Sequence, residues 1–233
     1  MTASADLRAV SFDVGGTLIE PWPSVGHVYA EVAEQFGITG IAPEALNRQF
    51  AAAWKARRHF DYSREAWREL VNHSFAGLWP EPPSRPSFDA MYDVFATVAP
   101  WRVFEDVKPT LAAVRARGWK LAIISNWDER LRPLLRELGL VECFDAMVIS
   151  QEAGFTKPAQ EIFQRAAMAL DLSPESILHI GDSRREDFDG ARSAGMRSLL
   201  LDRKAGPGGD GVVSSLAAVL EDACGASIGR LAD

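Results

Sequence analysis

Two aspartates, a lysine and a hydroxyl–amide pair each lie just beyond a short apolar run. Asp13 and Thr17 follow Leu7–Phe12, Ser125 and Asn126 follow Leu121–Ile124, and Asp182, Ser183 and Asp187 follow Ile177–Ile180. Lys157 comes eight residues after Ile149, which ends the apolar run Ala146–Ile149. Side chains of these types suit phosphoryl transfer. An anionic carboxylate attacks phosphorus only when cations offset the charge on the phosphate oxygens. Mg²⁺ takes oxygen ligands in near-octahedral geometry, so two carboxylates and a carbonyl would hold it. Ser125, Thr17 or backbone amides would then hold the equatorial oxygens, with Lys157 offsetting the charge that develops.

For these residues to meet, the runs before them must be neighbouring strands. The runs lack strict alternation, as strands buried on both faces do. A fifth, Ser198–Leu201, ends at Asp202. Helical periodicity fills the intervals. Pro109–Arg117 stops at Gly118, Leu131, Leu134, Leu135 and Leu138 share one face, and so do Ile162, Phe163, Ala166, Ala167 and Leu170. Asp187–Ala194, closed by Gly195, reads as one more helix. Strand–helix alternation from Asp106 to Leu201 predicts a doubly wound parallel sheet, an α/β Rossmann-like core. Ligands of such sheets bind beyond the carboxyl ends of the strands, where these polar residues stand.

Pro21–Pro100 has another character. Helical stretches at about 24–36, 43–59, 64–78 and 87–97 are separated by glycine, proline and the loop Pro80–Pro86, and no strand pattern appears. The chain thus divides into an α/β core of residues 1–20 and 100–233 and an all-helical insert of residues 21–99. The loop Gly206–Gly211 and a short helix near Ser214–Ala223 complete it.

Phe12-Asp-Val-Gly-Gly-Thr-Leu18, Ile124-Ser-Asn126, Lys157-Pro158 and Gly181-Asp-Ser-Arg-Arg-Glu-Asp187 resemble, in order and context, the four motifs of the haloacid dehalogenase (HAD) superfamily. Gly190–Met196 fits as well, and the helical insert sits where that superfamily carries its helical cap. Ile124-Ser-Asn-Trp-Asp-Glu-Arg-Leu131 is similar to the branch of haloacid dehalogenase-like hydrolase domain-containing protein 3. The resemblance implies that Asp13 is the nucleophile and a Mg²⁺ ligand, together with the carbonyl of Gly15 and with Asp182. It implies that Ser125 and Asn126 contact the transferred group, that Lys157 stabilises it and orients Asp13, and that Asp187 supports the site from behind. Cap movement about linkers near Glu20–Pro23 and Ala99–Val103 would admit substrate.

Gly15 departs from the pattern. Phosphatases of the superfamily read Asp-x-Asp, the second acid protonating the leaving group. General acid help is worth about 10²–10⁴ in rate, so the change disfavours alkyl phosphates more than acyl or aryl phosphates. Dehalogenases of the superfamily lack the acid that Asp182 supplies, which speaks against carbon–halogen chemistry. Phosphonatase-type relatives need a cap lysine, and Lys55 is the lysine that the insert offers. The expected function is a Mg²⁺-dependent hydrolase of a small phosphorylated compound. A phosphonatase-like or dehalogenase-type hydrolase and a non-catalytic phosphometabolite binder are the alternatives.

Other conspicuous residues read as structural. His179 interrupts a buried strand and is expected to be a hydrogen-bonded core histidine; His27 and Lys55 are expected on the surface. Trp22 and Trp127 are placed to line a crevice, and Arg57, Arg58, Arg64 and Arg68 face solvent or an anionic substrate. The 233 residues carry 32 acids against 25 bases, a net charge of −7, which disfavours nucleic acid or an anionic membrane as partner. The 2 cysteines, Cys143 and Cys224, form no metal motif. With no apolar run long enough to span a bilayer, a cytoplasmic protein is expected.

Overall fold

Apolar side chains at every position but one bury Ala9–Phe12 (β1) completely. The computed structural model describes residues 6–57, 60–204 and 211–219. Further strands are β2 (Ile19–Pro21), β3 (Trp101–Val103), β4 (Lys120–Ser125), β5 (Ala146–Ile149), β6 (Ile177–Gly181), β7 (Arg197–Leu201) and β8 (Val212–Val213). Helices are α1 (Val25–Glu34), α2 (Pro43–Ala56), α3 (Arg64–Phe75), α4 (Arg85–Val94), α5 (Val107–Ala116), α6 (Leu131–Glu137), α7 (Ser150–Ala153), α8 (Gln160–Leu170) and α9 (Gly190–Ser193).

The chain divides into two units. One comprises residues 1–19, 103–127 and 139–233. Its sheet runs β5-β4-β1-β6-β7-β8 and is parallel throughout. The α/β expectation therefore holds. β1 lies between β4 and β6, so the strand order switches at its carboxyl end and opens a crevice there. Register brings the crevice residues together. Phe12 is opposite both Ile123 and Ile180, which sets the next residues, Asp13 and Gly181, side by side near Ser125. Ile162, Phe163, Ala166 and Leu170 of α8 pack on Ala122, Ile124 and Ile177, the face that their helical spacing predicts.

The other unit comprises residues 20–102 and 128–138. Helices α1 to α4 bury Tyr29, Val32, Leu46, Val71, Phe75, Phe88 and Met91 in a common core. Ser24, Ser63 and Ser84 cap α1, α3 and α4, their hydroxyls accepting first-turn amides. Asp128 and Arg130 are anchored in this unit: Trp67 Nε1 donates to Asp128 Oδ2 at 2.8 Å, and Arg130 Nη1 to the Tyr92 carbonyl at 2.9 Å.

Three sequence expectations need correction. Two short strands bracket the helical insert, β2 and β3, which pair as a separate sheet. At three residues each they are too short to show a period. The helix expected over Asp187–Ala194 begins earlier and is split, with a π-helical turn at Arg184–Asp189 followed by α9. The wide turn forms because the amides of both Asp187 and Phe188 bond the Ser183 carbonyl, at 2.9 and 3.2 Å. Finally α2 ends at Ala56 and α3 at Phe75, both before their expected limits. Arg58, the loop at 206–210 and residues 220–223 of the expected C-terminal helix lie outside the described residues; of the rest of that helix, 214–217 form bends and turns and only 218–219 are helical. Among the described residues no helix is long and apolar enough to cross a membrane.

Candidate active site

The chain turns at once after β1. The amides of Thr17 and Leu18 both donate to the Val14 carbonyl, at 3.2 and 2.8 Å, and Gly16 N donates to Ile19 O at 2.8 Å. Gly16 adopts φ +76°, and a Cβ there would stand 2.3 Å from Asp182 Oδ2. Glycine is required on both counts, for the left-handed turn and for the room it leaves Asp182. Asp13 N donates to Ile180 O at 2.9 Å, which ties the turn to β6.

Lys157 is the hub. Its side chain is buried, and Nζ donates to Asp13 Oδ1 at 2.6 Å and to Asp187 Oδ1 at 2.5 Å. Its backbone is fixed by Asn126, whose Oδ1 accepts Lys157 N at 2.7 Å while Nδ2 donates to Lys157 O at 3.1 Å. Asn126 Nδ2 also reaches Glu186 Oε2 at 3.2 Å, so the Asn126 amide is engaged by protein at both ends. Ser125 Oγ donates to Asp13 Oδ1 at 3.0 Å. Both donors converge on one oxygen and fix the rotation of the carboxylate.

Asp187 is held on all sides. Beyond Lys157, it accepts Ser183 N at 3.0 Å on Oδ2 and faces His179 Nε2 at 3.1 Å on Oδ1. Gly181 makes this approach possible, since a Cβ there would lie 2.1 Å from Asp187 Cγ. Burial would raise the Asp187 carboxyl, but the Lys157 charge and the His179 hydrogen bond outweigh it and hold the group well below the usual range. Burial would likewise lower Lys157; Asp13 and Asp187 overcome that and hold it above its ordinary value, as an ammonium. Asp13 goes the other way. Its desolvation exceeds the help from Lys157, and Asp187 adds repulsion, so its carboxyl is raised.

Asp182 exposes its edge to solvent, but desolvation by its surroundings and then the charges of Asp13 and Asp187 push it up to about 7. One oxygen from each of Asp13, Asp182 and Asp187 falls within 4.8 Å of the others. This donor set fits Mg²⁺. The ligands are hard oxygens without cysteine or coordinating histidine, and a divalent cation would offset the charge that raises Asp13 and Asp182. Asp187 is already satisfied by three donors, which leaves Asp13 and Asp182 as the carboxylates free to ligate.

The remaining sequence candidates are distributed as follows. Thr17 is fully buried and its Oγ1 meets no partner, while its carbonyl accepts Arg203 Nη2 at 2.8 Å. Gly15 lies under Trp127, with Cζ3 of that ring 3.2 Å from where a Cβ would be. Lys55 is exposed on α2. His27 bonds Ser24 Oγ through Nδ1 at 2.7 Å, Arg64 pairs with Asp89 and Asp93, and Arg68 pairs with Glu65. Trp22 is exposed with the Arg102 guanidinium 3.5 Å from its ring centre. Ser11, Glu186 and Arg203 are parts of the site or its supports that sequence reasoning missed. Ser11 had a usable signal, a lone hydroxyl inside the apolar run before Asp13.

Comparison with known proteins identifies the family. The haloacid dehalogenase-like hydrolase family matches residues 7–195. Haloacid dehalogenase-like hydrolase domain-containing protein 3 of Bos taurus is 35% identical over 218 residues, covering 89% of this chain and 85% of that one. Glyceraldehyde 3-phosphate phosphatase of Methanopyrus kandleri is 32% identical over 219 residues, covering 84% of each. Among solved structures, the putative HAD-hydrolase YfnB from Bacillus subtilis bound to magnesium superposes with a TM-score of 0.77. It is 16% identical, covering 94% of this chain and 99% of that one.

Proposed function

The chain belongs to the haloacid dehalogenase-like hydrolase family, and we propose that within it this protein is a Mg²⁺-dependent phosphohydrolase of small phosphorylated compounds, with Asp13 as nucleophile. The observation that carries the reading is the bridge of Lys157 Nζ between Asp13 and Asp187, with Asp182 alongside. A nucleophilic carboxylate must stay ionised beside an anionic substrate, and a buried ammonium at 2.6 Å serves that need. The phosphatase among the relatives points to the same substrate class.

In this reading Asp13 attacks phosphorus, the bond to the leaving oxygen breaks with its electron pair, and an aspartyl-phosphate forms. Water then attacks that phosphorus and releases inorganic phosphate, regenerating the carboxylate. Lys157 and Ser125 orient Asp13, and Asn126 holds the Lys157 backbone in place. Asp13, Asp182 and the Gly15 carbonyl would hold Mg²⁺, which when bound offsets the charge of the phosphate oxygens. Gly15 offers the leaving group no acid, so leaving groups that depart unprotonated, acyl and aryl oxygens, are favoured. The small anionic substrate is the only partner proposed, and the cytoplasm the proposed compartment.

The test is Mg²⁺-dependent phosphate release from p-nitrophenyl phosphate, acetyl phosphate and phosphonoacetaldehyde, with Asp13→Asn as control. Turnover of the first two that disappears in the control is the expected result. Preference for phosphonoacetaldehyde would establish C–P cleavage instead. Silence on all three, with thermal stabilisation by the compounds, would replace the hydrolase with a binder.

A further inference from the structure

We propose that Ser11 and His179 form a positioning pair that sets the direction of Lys157 by way of Asp187; the proposal rests on the reading of Lys157 and Asp13 as the working pair. Ser11 on β1 and His179 on β6 are register partners, so their side chains emerge side by side from one face of the sheet. Both are fully buried. Ser11 Oγ lies 3.0 Å from His179 Nδ1, and His179 Nε2 lies 3.1 Å from Asp187 Oδ1. From there the path continues through Lys157 Nζ at 2.5 Å to Asp13 at 2.6 Å.

Counting donors fixes the hydrogens along this path. Asp187, held ionised, only accepts. His179 Nε2 must therefore carry the hydrogen that faces it. Burial lowers His179, so the ring is neutral and has a single N–H. Nδ1 is then an acceptor, and the Ser11 hydroxyl must donate to it. Remove that hydroxyl and only Asp187 holds the hydrogen on Nε2, while Nδ1 is left buried without its donor. With the hydrogen on Nδ1, a lone pair would face the Asp187 carboxylate.

The consequence for Lys157 is geometric. Its ammonium sits at the end of a chain with four rotatable bonds, and its direction depends on where the Asp187 oxygens are. Ser183 N holds Oδ2 and His179 Nε2 holds Oδ1, so the carboxylate plane is fixed before Lys157 binds it. Loss of the His179 hydrogen bond leaves that plane free to turn about the Ser183 contact. His179 also packs edge-on against Phe163, with ring centres 5.3 Å apart, and a purely packing role is what the experiment must separate.

The variants are His179→Phe, which keeps the ring volume without a donor, His179→Gln, which carries an N–H to the reach of Nε2, and Ser11→Ala. In ¹⁵N-labelled protein the His179 imidazole is expected to show Nε2 protonated and Nδ1 accepting, with the second tautomer growing in Ser11→Ala. The protected ammonium signal of Lys157 is expected in the wild type and lost in His179→Phe. Both readouts are independent of turnover. For aryl phosphate hydrolysis, His179→Phe is expected to lower kcat about 10- to 100-fold, the range for residues that orient others at a metal site. KM should hold, and His179→Gln should recover most of the loss.

Three results would overturn the proposal: an Nδ1–H tautomer in the wild type, an unchanged Lys157 signal in a folded His179→Phe, or a His179→Gln no better than His179→Phe. If the wild type hydrolyses no phosphate, the proposed function falls, and the two spectroscopic readouts still decide whether the pair sets Lys157.

Discussion

A Cβ on residue 15 would stand 3.2 Å from Cζ3 of Trp127, and the Trp127 backbone is pinned by Ser150 Oγ at 3.0 Å and Gln151 N at 3.2 Å. The ring would have to give by a few tenths of an ångström without help from its backbone. Gly15→Asp alone is therefore expected to leave alkyl phosphate hydrolysis well short of the gain of about 10²–10⁴ that a placed acid brings. Gly15→Asp with Trp127→Ala should gain more than the single change; steady-state rates on an alkyl phosphate compare them, and equal rates would show that the ring is no obstacle. A second expectation concerns charge. The folded carboxyl of Asp182 titrates at about 7 against 3.8 unfolded, so above pH 7 its ionisation opposes folding of the metal-free protein. The opposition is relieved as the pH falls through 7 and ends below the unfolded value. In chelator, Asp182→Asn should melt higher than wild type at pH 8 and lose that advantage by about pH 4. An advantage independent of pH would assign it to something other than this charge. At this scale the sequence carried the residue types that meet at the crevice, because acids and amines after apolar runs are visible as types. It did not carry the donors behind them. Ser183 and Ser11 become partners of Asp187 and His179 only through a π turn and a strand register, and neither leaves a local pattern.

The turn after β1 is also held from the far edge of the sheet. Arg203, just past β7, donates to both oxygens of Asp106 at 3.0 Å and to the Thr17 carbonyl at 2.8 Å, and it lies 3.8 Å from the Phe104 ring centre. Asp106 Oδ2 also accepts Leu216 N at 2.8 Å. One guanidinium thus ties the turn after β1, the start of α5 and the segment beyond β8. The pair is half-buried rather than sealed, so the charge-assisted bonds set its worth. Arg203→Met is expected to destabilise by about 1.5–3 kcal/mol, the range for hydrogen bonds to charged groups. Urea unfolding checks this, and Arg203→Lys should rescue little, because an ammonium cannot reproduce the two-pronged contact. A loss no larger than at an exposed arginine such as Arg85 would show that the turn stands without it. Within the helical unit, Ser63→Ala removes the hydroxyl that accepts Ala66 N at 3.1 Å and should cost about 1 kcal/mol by the same measurement. Elements of ten residues or so were legible because one face of α8 or α1 repeats its apolar positions over several turns. Strands β2, β3 and β8 were not, because two or three residues hold too little period, and pairing comes from neighbours distant in sequence.

At the scale of the whole chain, 32 acids against 25 bases give a field that repels an anionic substrate and attracts its cation. The two effects meet where Asp13, Asp182 and Asp187 crowd together around a single ammonium. Under the proposed function, net charge would be part of how the site is filled: Mg²⁺ would be drawn by the molecule as well as by its ligands, and a phosphate tolerated once the cation is present. Because a bound ligand stabilises the native state by mass action, Mg²⁺ at about 100 times its dissociation constant should add about 2.7 kcal/mol. Melting in Mg²⁺ against chelator reads this directly, and Asp182→Asn should abolish the difference. The long-range share is separable by salt. Raising ionic strength from about 0.01 M to about 0.15 M shortens the screening length from about 30 Å to about 8 Å. That change silences distant carboxylates while sparing the ligands themselves. Mg²⁺ affinity, measured by titration calorimetry in potassium chloride, is expected to fall over this range in the wild type. A set of charge-reversing substitutions on exposed acids at the amino ends of the core strands, such as Glu142 before β5 and Glu175 before β6, should flatten the dependence. An affinity indifferent to salt would mean that the cation is held by its immediate oxygens alone, and that the acidic surface serves solubility rather than the site.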